Sequence, residues 1–183
     1  MLEQLRTRYM SERKVICTGN PDREFTIASA VKRHWPNATF LSRSSGYDLT
    51  NPDIDQLSAV FKKHNTFINA SYIADGVQSR LLEICNQSSK FYDVFNIGST
   101  HEYDALGTEN YKKSKIDLRD KSLSMHTYRF QTCHMVIGGI KRSQDPEYQR
   151  FLEVDEICKV IQWVMDQRFW VPIISMTQPK QAW

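Results

Sequence analysis

Short apolar runs alternate along this chain with longer stretches whose apolar positions recur at helical spacing. Lys14–Thr18 (KVICT) has strand length and runs into the turn residues Gly19, Asn20 and Pro21. From Asp22 to Trp35, the residues Phe25, Ile27, Ala28, Val31 and Trp35 fall on one helical face, and Pro36-Asn37 closes the segment. Ala38–Leu41 predicts a second strand, followed by the polar turn Ser42–Gly46. A helix is predicted over Asp53–Lys63, with Ile54, Leu57, Val60 and Phe61 turned inward. A strand over Thr66–Ala70 and a helical pattern over Gly76–Cys85 come next. Strands at Phe91–Ile97, Tyr128–Ile137 and Trp170–Met176 complete the series, with helices from Tyr111 and over Val154–Met165 between them.

Strands alternating with helices at this rhythm predict an α/β fold: a doubly wound parallel sheet of about six strands in a three-layer α/β/α sandwich. In such a fold the ligand site lies at the carboxyl ends of the strands. Thr18-Gly19, Ser42-Arg43, Asn69-Ala70, Ser99 and Gly138-Gly139 all fall at predicted strand ends, so small and polar residues converge on one edge. Residues 1–13 read as a polar leader, and 14–183 as one domain. The stretch Lys141–Tyr148 is the most loop-like interior segment.

Composition narrows the function classes. Hydrophobic content of 40% and charged content of 25% are those of an ordinary globular protein. A formal charge of +3, with dispersed Lys and Arg, gives no footprint for nucleic acid. No apolar run approaches the roughly 18 residues of a membrane span, and there is no signal-peptide core. Cys17, Cys85, Cys133 and Cys158 form no C-x-x-C pair and read as buried free thiols in a reducing, cytoplasmic compartment.

The chemistry centres on Asn96–Lys115. An apolar strand ends in Ser99 and Thr100, and Tyr111 is followed by Lys115 four positions on. On a helix that spacing puts an ammonium on the same face as a phenol. A phenol of pKa about 10 is a poor acid near neutrality, and a neighbouring cation favours its ionised form. A strand-end hydroxyl beside this pair suits proton transfer to or from a carbonyl oxygen. On spacing alone, the same residues also fit a solvated helix face. His101, Glu102, Tyr103 and Asp104 follow the serine and are candidates for a substrate pocket. The sequence HEYD lacks the second His of a zinc-binding H-E-x-x-H, so no metal is expected. His34, His64, His126 and His134 show no ligand spacing and read as ordinary. Trp163, Trp170 and Trp183 read as core or interface aromatics.

The order of these motifs over roughly residues 14–176 resembles the short-chain dehydrogenase/reductase family. Thr18-Gly19 is similar to the start of its Thr-Gly-x-x-x-Gly-x-Gly nucleotide loop, and Asp48-Leu49 to its adenine-contacting pair. Asn69-Ala70-Ser71 is similar to its Asn-Asn-Ala-Gly strand end, and Asn96–Ser99 to the stretch bearing its active-site serine. Tyr111 and Lys115 match its Tyr-x-x-x-Lys, and Gly138-Gly139-Ile140 stands where the family contacts the nicotinamide. The resemblance implies a Rossmann-type domain that interconverts a carbonyl and an alcohol. It makes Ser99 the holder of the substrate oxygen, Tyr111 the acid or base, and Lys115 the tuner of Tyr111 and ligand of the nicotinamide ribose. It further implies cofactor contacts from Thr18, Gly19, Asn20, Arg23, Ser42, Arg43, Asp48, Leu49, Asn69, Ala70, Ser71, Gly138, Gly139 and Ile140. A homo-oligomer paired through the Tyr111 helix and the Gly76–Cys85 helix also follows from it.

The chain departs from the family in three places. The loop reads TGNPDREF, with Arg23 and Phe25 where the family has its second and third glycines. The short connection from Arg43 to Asp48 leaves out a helix and a strand. The connection from Asn69 to Asn96 is about half the usual length, and no equivalent of the catalytic Asn is found there. Ser42-Arg43 with no acid at the second strand end favours NADP(H) over NAD(H), with Arg23 as a second cation; the two arginines also fit a solvated surface. Two other functions share the fold: a sensor or interaction protein that binds the nucleotide without turnover, and a structural partner that binds none.

Overall fold

The computed structural model describes residues 13–88, 92–103, 108–143, 151–167 and 169–177. Six strands form one sheet: β1 (Val15–Thr18), β2 (Thr39–Leu41), β3 (Thr66–Asn69), β4 (Tyr92–Ile97), β5 (Phe130–Ile137) and β6 (Ile173–Met176). Their order is β2-β1-β3-β4-β5-β6, and every pair is parallel. Among the described residues, five α-helices alternate with them: α1 (Ile27–His34), α2 (Ile54–Phe61), α3 (Val77–Ser88), α4 (Glu109–Ser124) and α5 (Val154–Asp166). The expected α/β/α sandwich of six parallel strands is therefore present.

Period-two alternation along the strands feeds two cores. Val15, Cys17, Ile68, Phe95 and Met135 point to the face covered by α1 and α5, where they meet Val31, Ile157 and Ile161. Ile16, Phe67 and Val94 point to the other face, against Leu57 and Phe61 of α2, Leu81 of α3 and Leu118 of α4. A sheet buried on both faces needs near-continuous apolar strands, and VICT and TFIN have that character. Each fully buried Leu, Ile or Phe contributes about 1.5–3 kcal/mol over leaving it exposed. All four cysteines are free and buried in these cores, as the sequence suggested.

Register brings polar residues together on the α3–α4 face. Asn69 of β3 lies opposite Asn96 of β4, which lies opposite His134 of β5. Asn69 Nδ2 donates to Asn96 Oδ1 at 3.0 Å, and Asn96 Nδ2 donates to Ser122 Oγ of α4 at 3.1 Å. This polar seam runs directly beneath the carboxyl edge of the sheet.

Several element ends differ from the sequence reading. Helix α1 starts at Ile27, not near Asp22, because Thr26 and Ser29 form a reciprocal capping box that fixes the first turn there. Strand β5 starts at Phe130 because a turn closes between Thr127 and Phe130. Trp170, expected in the last strand, instead stacks on His126 and donates its indole N–H to the Thr132 carbonyl. Of the expected leader only Arg13 is among the described residues, and its guanidinium bonds the Met165 carbonyl and Asp166 at the end of α5. Asp104 and most of the Lys141–Tyr148 loop fall outside the described residues, as does Trp183.

Candidate functional site

An open cleft of about 880 Å³ lies along the carboxyl ends of β1, β3, β4 and β5, at the point where the strand order reverses between β1 and β3. Four segments supply its walls: the loop from Thr18 to Ala28, Ala70–Tyr72, Ile97–His101, and Ile137–Ile140 with Arg142. Tyr111 and Lys115 of α4 close one end, and Phe151 also contributes. The lining holds the cations Arg23, Arg142 and Lys115 and, among the described residues, no carboxylate.

Thr108 caps α4, accepting the Tyr111 backbone N–H at 3.3 Å, so Tyr111 sits in the first turn and Lys115 one turn further. The Tyr111 ring packs edge-on against Tyr72, with centroids 4.7 Å apart, and against His101 at 6.1 Å. The Lys115 ammonium stands over both tyrosine rings, 5.5 Å from each centroid. It donates to Gln78 Oε1 at 2.6 Å and to the Ile97 carbonyl at 2.8 Å. An ammonium has three protons. Two are thus turned into the protein, and one is left for the cleft. Burial pushes the Lys115 pKa down to about 8, opposed in part by the negative charge of Glu102. Tyr72 behaves in the opposite sense: its hydroxyl donates to Asp75, and this carboxylate bond raises the phenol to about 12.

Ser99 opens the turn Thr100–Glu102, where its hydroxyl accepts the His101 N–H at 3.2 Å. Its own N–H donates to Glu102 Oε1 at 2.9 Å. Gly98 is required by what lies behind it. A Cβ there would sit 2.3 Å from both Glu102 Oε1 and His134 Nε2. Ser99, Tyr111 and Lys115, separated in sequence, therefore share one cleft.

At the other end, Gly19 has φ +127°, and a Cβ there would lie 2.8 Å from Ser71 Oγ and 3.0 Å from Ala28 Cβ. Only glycine suits so close an approach. Thr18 is buried, with its hydroxyl accepting the N–H groups of Ala70 and Ser71 at 2.8 and 2.9 Å. It stitches the β1 and β3 ends together and sets the floor of the cleft. The first-turn N–H groups of a helix lack intrahelical partners and favour anions. In α1, Thr26 takes that of Ser29, while Ile27 and Ala28 line the cleft.

Five of the expected cofactor contacts do not line it. Leu49 is 3% exposed in the core with Leu57 and Phe61. Asp48 is spent on Thr50, accepting from both its N–H and its hydroxyl. Ser42 is tied to Ser44 and Ser45 in a short turn, and Arg43 is exposed on that turn. The cause is common to all four. With β2 only three residues long, the chain turns at once toward α2 and carries residues 42–49 with it. Asn69 is fully buried, donating to the Gln78 carbonyl and to Asn96.

Further residues at the site stand outside the expected set. Arg142 lies in the loop-like stretch and carried no motif. Gln78 occupies the first turn of α3, where no Asn could be found, and it bonds Lys115 directly. Its place in an amphipathic helix pattern was the one available signal. His134, read as ordinary, is fully buried against Glu102 at 2.8 Å. Glu102 is buried behind Ser99 rather than lining the pocket, whereas His101 does line it. Tyr103 is exposed, with the Arg119 guanidinium over its ring.

No family model and no curated protein sequence matches the chain. Its fold is that of solved short-chain dehydrogenases/reductases. A short chain dehydrogenase from Burkholderia cenocepacia J2315 in complex with NADP superposes with a TM-score of 0.68 at 13% identity, over 93% of this chain and 90% of that one. A short-chain dehydrogenase/reductase of the glucose/ribitol dehydrogenase type from Brucella melitensis gives 0.68 at 13% identity, over 90% and 95%. An NAD+-bound xylitol dehydrogenase gives 0.67 at 13% identity, over 90% and 96%.

Proposed function

We propose that this chain is an NADP(H)-dependent oxidoreductase that interconverts a carbonyl and an alcohol. The observation that carries the reading is the meeting of Ser99, Tyr111 and Lys115 at one end of a cleft whose lining is cationic and free of carboxylates among the described residues. A nicotinamide dinucleotide fits the residues present. Gly19 leaves the backbone open, the first turn of α1 faces the cleft, and Arg23 and Arg142 supply charge for phosphate oxygens. Ala70, Ser71 and Gly138–Ile140 offer small walls for the ribose and nicotinamide. The contacts expected from Ser42, Arg43, Asp48, Leu49 and Asn69 are not part of this reading. Arg23 and Arg142 in the lining, with no acid beside them among the described residues, favour a 2′-phosphate over a free ribose hydroxyl, hence NADP(H) over NAD(H).

When bound, the nicotinamide supplies the hydride acceptor or donor. The chain's own residues do the rest. The Ser99 hydroxyl donates to the substrate oxygen and holds it near Tyr111. Tyr111 gives that oxygen a proton in reduction and takes one in oxidation. The Lys115 ammonium, held by Gln78 and the Ile97 carbonyl, offers its third proton to the ribose and lowers the cost of a phenolate. Tyr72 and His101 flank the Tyr111 ring and restrict its rotation. The substrate is a small molecule, and the protein works as a homo-oligomer in a reducing cytoplasm. Light scattering tests the assembly, and a monomer at micromolar concentration removes that part.

A second reading is favoured by the altered loop. Phe25 is the one non-glycine residue with positive φ among the described residues, at φ 54° where the resemblance expects glycine, and it lines the cleft. A nucleotide sensor without turnover is the alternative. Reduction of a panel of aldehydes and ketones, followed by NADPH absorbance, separates the two. Turnover that Tyr111→Phe lowers by 100-fold or more supports the enzyme, in line with the loss of one acid–base group. Tight NADPH binding with no turnover in either protein supports the sensor.

A further inference from the structure

We propose that Glu102 is a positioning residue of this site: from behind Ser99 it anchors the turn that presents the hydroxyl, and its carboxylate keeps the Lys115 ammonium charged. The proposal rests on reading Ser99, Tyr111 and Lys115 as the proton-transferring group, and its test reads Lys115 directly.

The geometry is unusual for a surface loop. The side chains of Glu102 and His134 are both fully buried, 2.8 Å apart, on segments 32 residues distant in sequence. Glu102 Oε1 receives the Ser99 N–H at 2.9 Å as well as His134 Nε2. Were that oxygen protonated and donating to Nε2, the imidazole proton would have to sit on Nδ1. Among the described residues, Glu102 Oε2 and His134 Nδ1 have no hydrogen-bond partner. A proton on either would be a buried donor without an acceptor, which is costly. The arrangement with the fewest such penalties is a glutamate anion facing the Nε2–H tautomer of a neutral imidazole.

A buried anion needs a counter-charge. Two cations stand one turn apart on the α4 face that packs on the Thr100–Glu102 turn. Arg119 Nη1 lies 3.9 Å from Glu102 Oε2, and Lys115 is attracted to the same carboxylate. Around the ammonium, α3 contributes the neutral Gln78, and the loop after β3 contributes Tyr72 with Asp75 behind it. From α4 come Tyr111 and Arg119, with His101 against the Tyr111 ring and His134 behind Glu102. Arg119 is also drawn to Asp120 and Tyr103, and Glu102 is the buried carboxylate whose charge acts on Lys115. Gly98 makes the arrangement possible, since any side chain there would separate Ser99 from the pair.

The test is a pH titration of the lysine side-chain signals by ¹³C NMR on the full chain, with Lys115 assigned by its loss in Lys115→Arg. Glu102→Gln keeps the size and an acceptor for Ser99 but removes the charge. The expected result is a Lys115 midpoint near 8 in the wild type and a roughly tenfold loss of proton affinity in the variant. An unchanged midpoint in a folded Glu102→Gln protein overturns the charge role. Glu102→Asp covers the case in which that variant does not fold. It keeps the charge and shortens the reach, so the Ser99 amide should exchange with solvent at least tenfold faster. Exchange as slow as in the wild type overturns the anchoring role. If a carbonyl substrate is turned over, the kcat–pH profile of Glu102→Gln should move with the lysine midpoint. If none is, the titration still decides the proposal while the oxidoreductase reading falls by itself.

Discussion

Lys115 is where the chemistry of single residues is most exposed to test, because its charge is held out of water by a few neighbours. Its pKa of about 8 lies below the 10.5 of the free side chain. Between those values the unfolded chain keeps a proton that the folded chain has released, so stability rises with pH across that window. Below about 8 the penalty of the buried ammonium is present in full. Urea unfolding at a series of pH values should therefore show the wild type gaining roughly 3 kcal/mol relative to Lys115→Met between pH 7.5 and 10.5. A constant difference would mean the ammonium is solvated. Gly98→Ala makes a separate prediction. Its Cβ would collide at 2.3 Å with two buried polar atoms, and about 2–4 kcal/mol of stability should be lost. Single residues were also the least legible scale. Ser99, Tyr111 and Lys115, which line one cleft, could be singled out as candidates because a strand end and a helix start announce themselves locally. The Glu102–His134 pair could not, since two side chains from different elements meet only once β4 and β5 are in register.

Elements were legible in kind and less so in their ends. All six strands could be read from apolar runs, and the helices from their 3.6-residue periodicity. Boundaries went wrong where a local bond outvoted the apolar pattern, as the Thr26–Ser29 capping box does at α1. The same stretch holds the strained Phe25. A bulky residue in the left-handed region costs about 1–2 kcal/mol relative to glycine. Phe25→Gly should relieve that strain, open the backbone to phosphate oxygens, and tighten NADPH binding several-fold by fluorescence titration. Weaker binding would instead show that the ring itself holds the ligand. Asp48 and Leu49 lie outside the cleft lining. As a dipeptide they match a nucleotide contact, but the three-residue β2 sends their segment over α2, and burial of Leu49 decides its place.

For the whole molecule, parallel pairing fixes where a ligand sits more firmly than it fixes which ligand. The order β2-β1-β3-β4-β5-β6 puts a reversal between β1 and β3, and the cleft lies there. Its charge then narrows the choice. Arg23→Ala and Arg142→Ala should each weaken NADPH binding about tenfold or more, whereas Arg43→Ala, outside the lining, should change it less than threefold. No helix among the described residues is long and apolar enough to cross a membrane. The measurement that bears most directly on the proposed function is thermal melting with NADPH, NADP, NADH and NAD at millimolar concentration. A ligand bound only by the folded state adds about 2.7 kcal/mol at a hundredfold excess over its dissociation constant. A rise in melting temperature of several degrees is expected with NADPH, larger than with NADH and reduced in Arg23→Ala. No shift with any of the four would contradict it, and the cleft would then belong to a different anion.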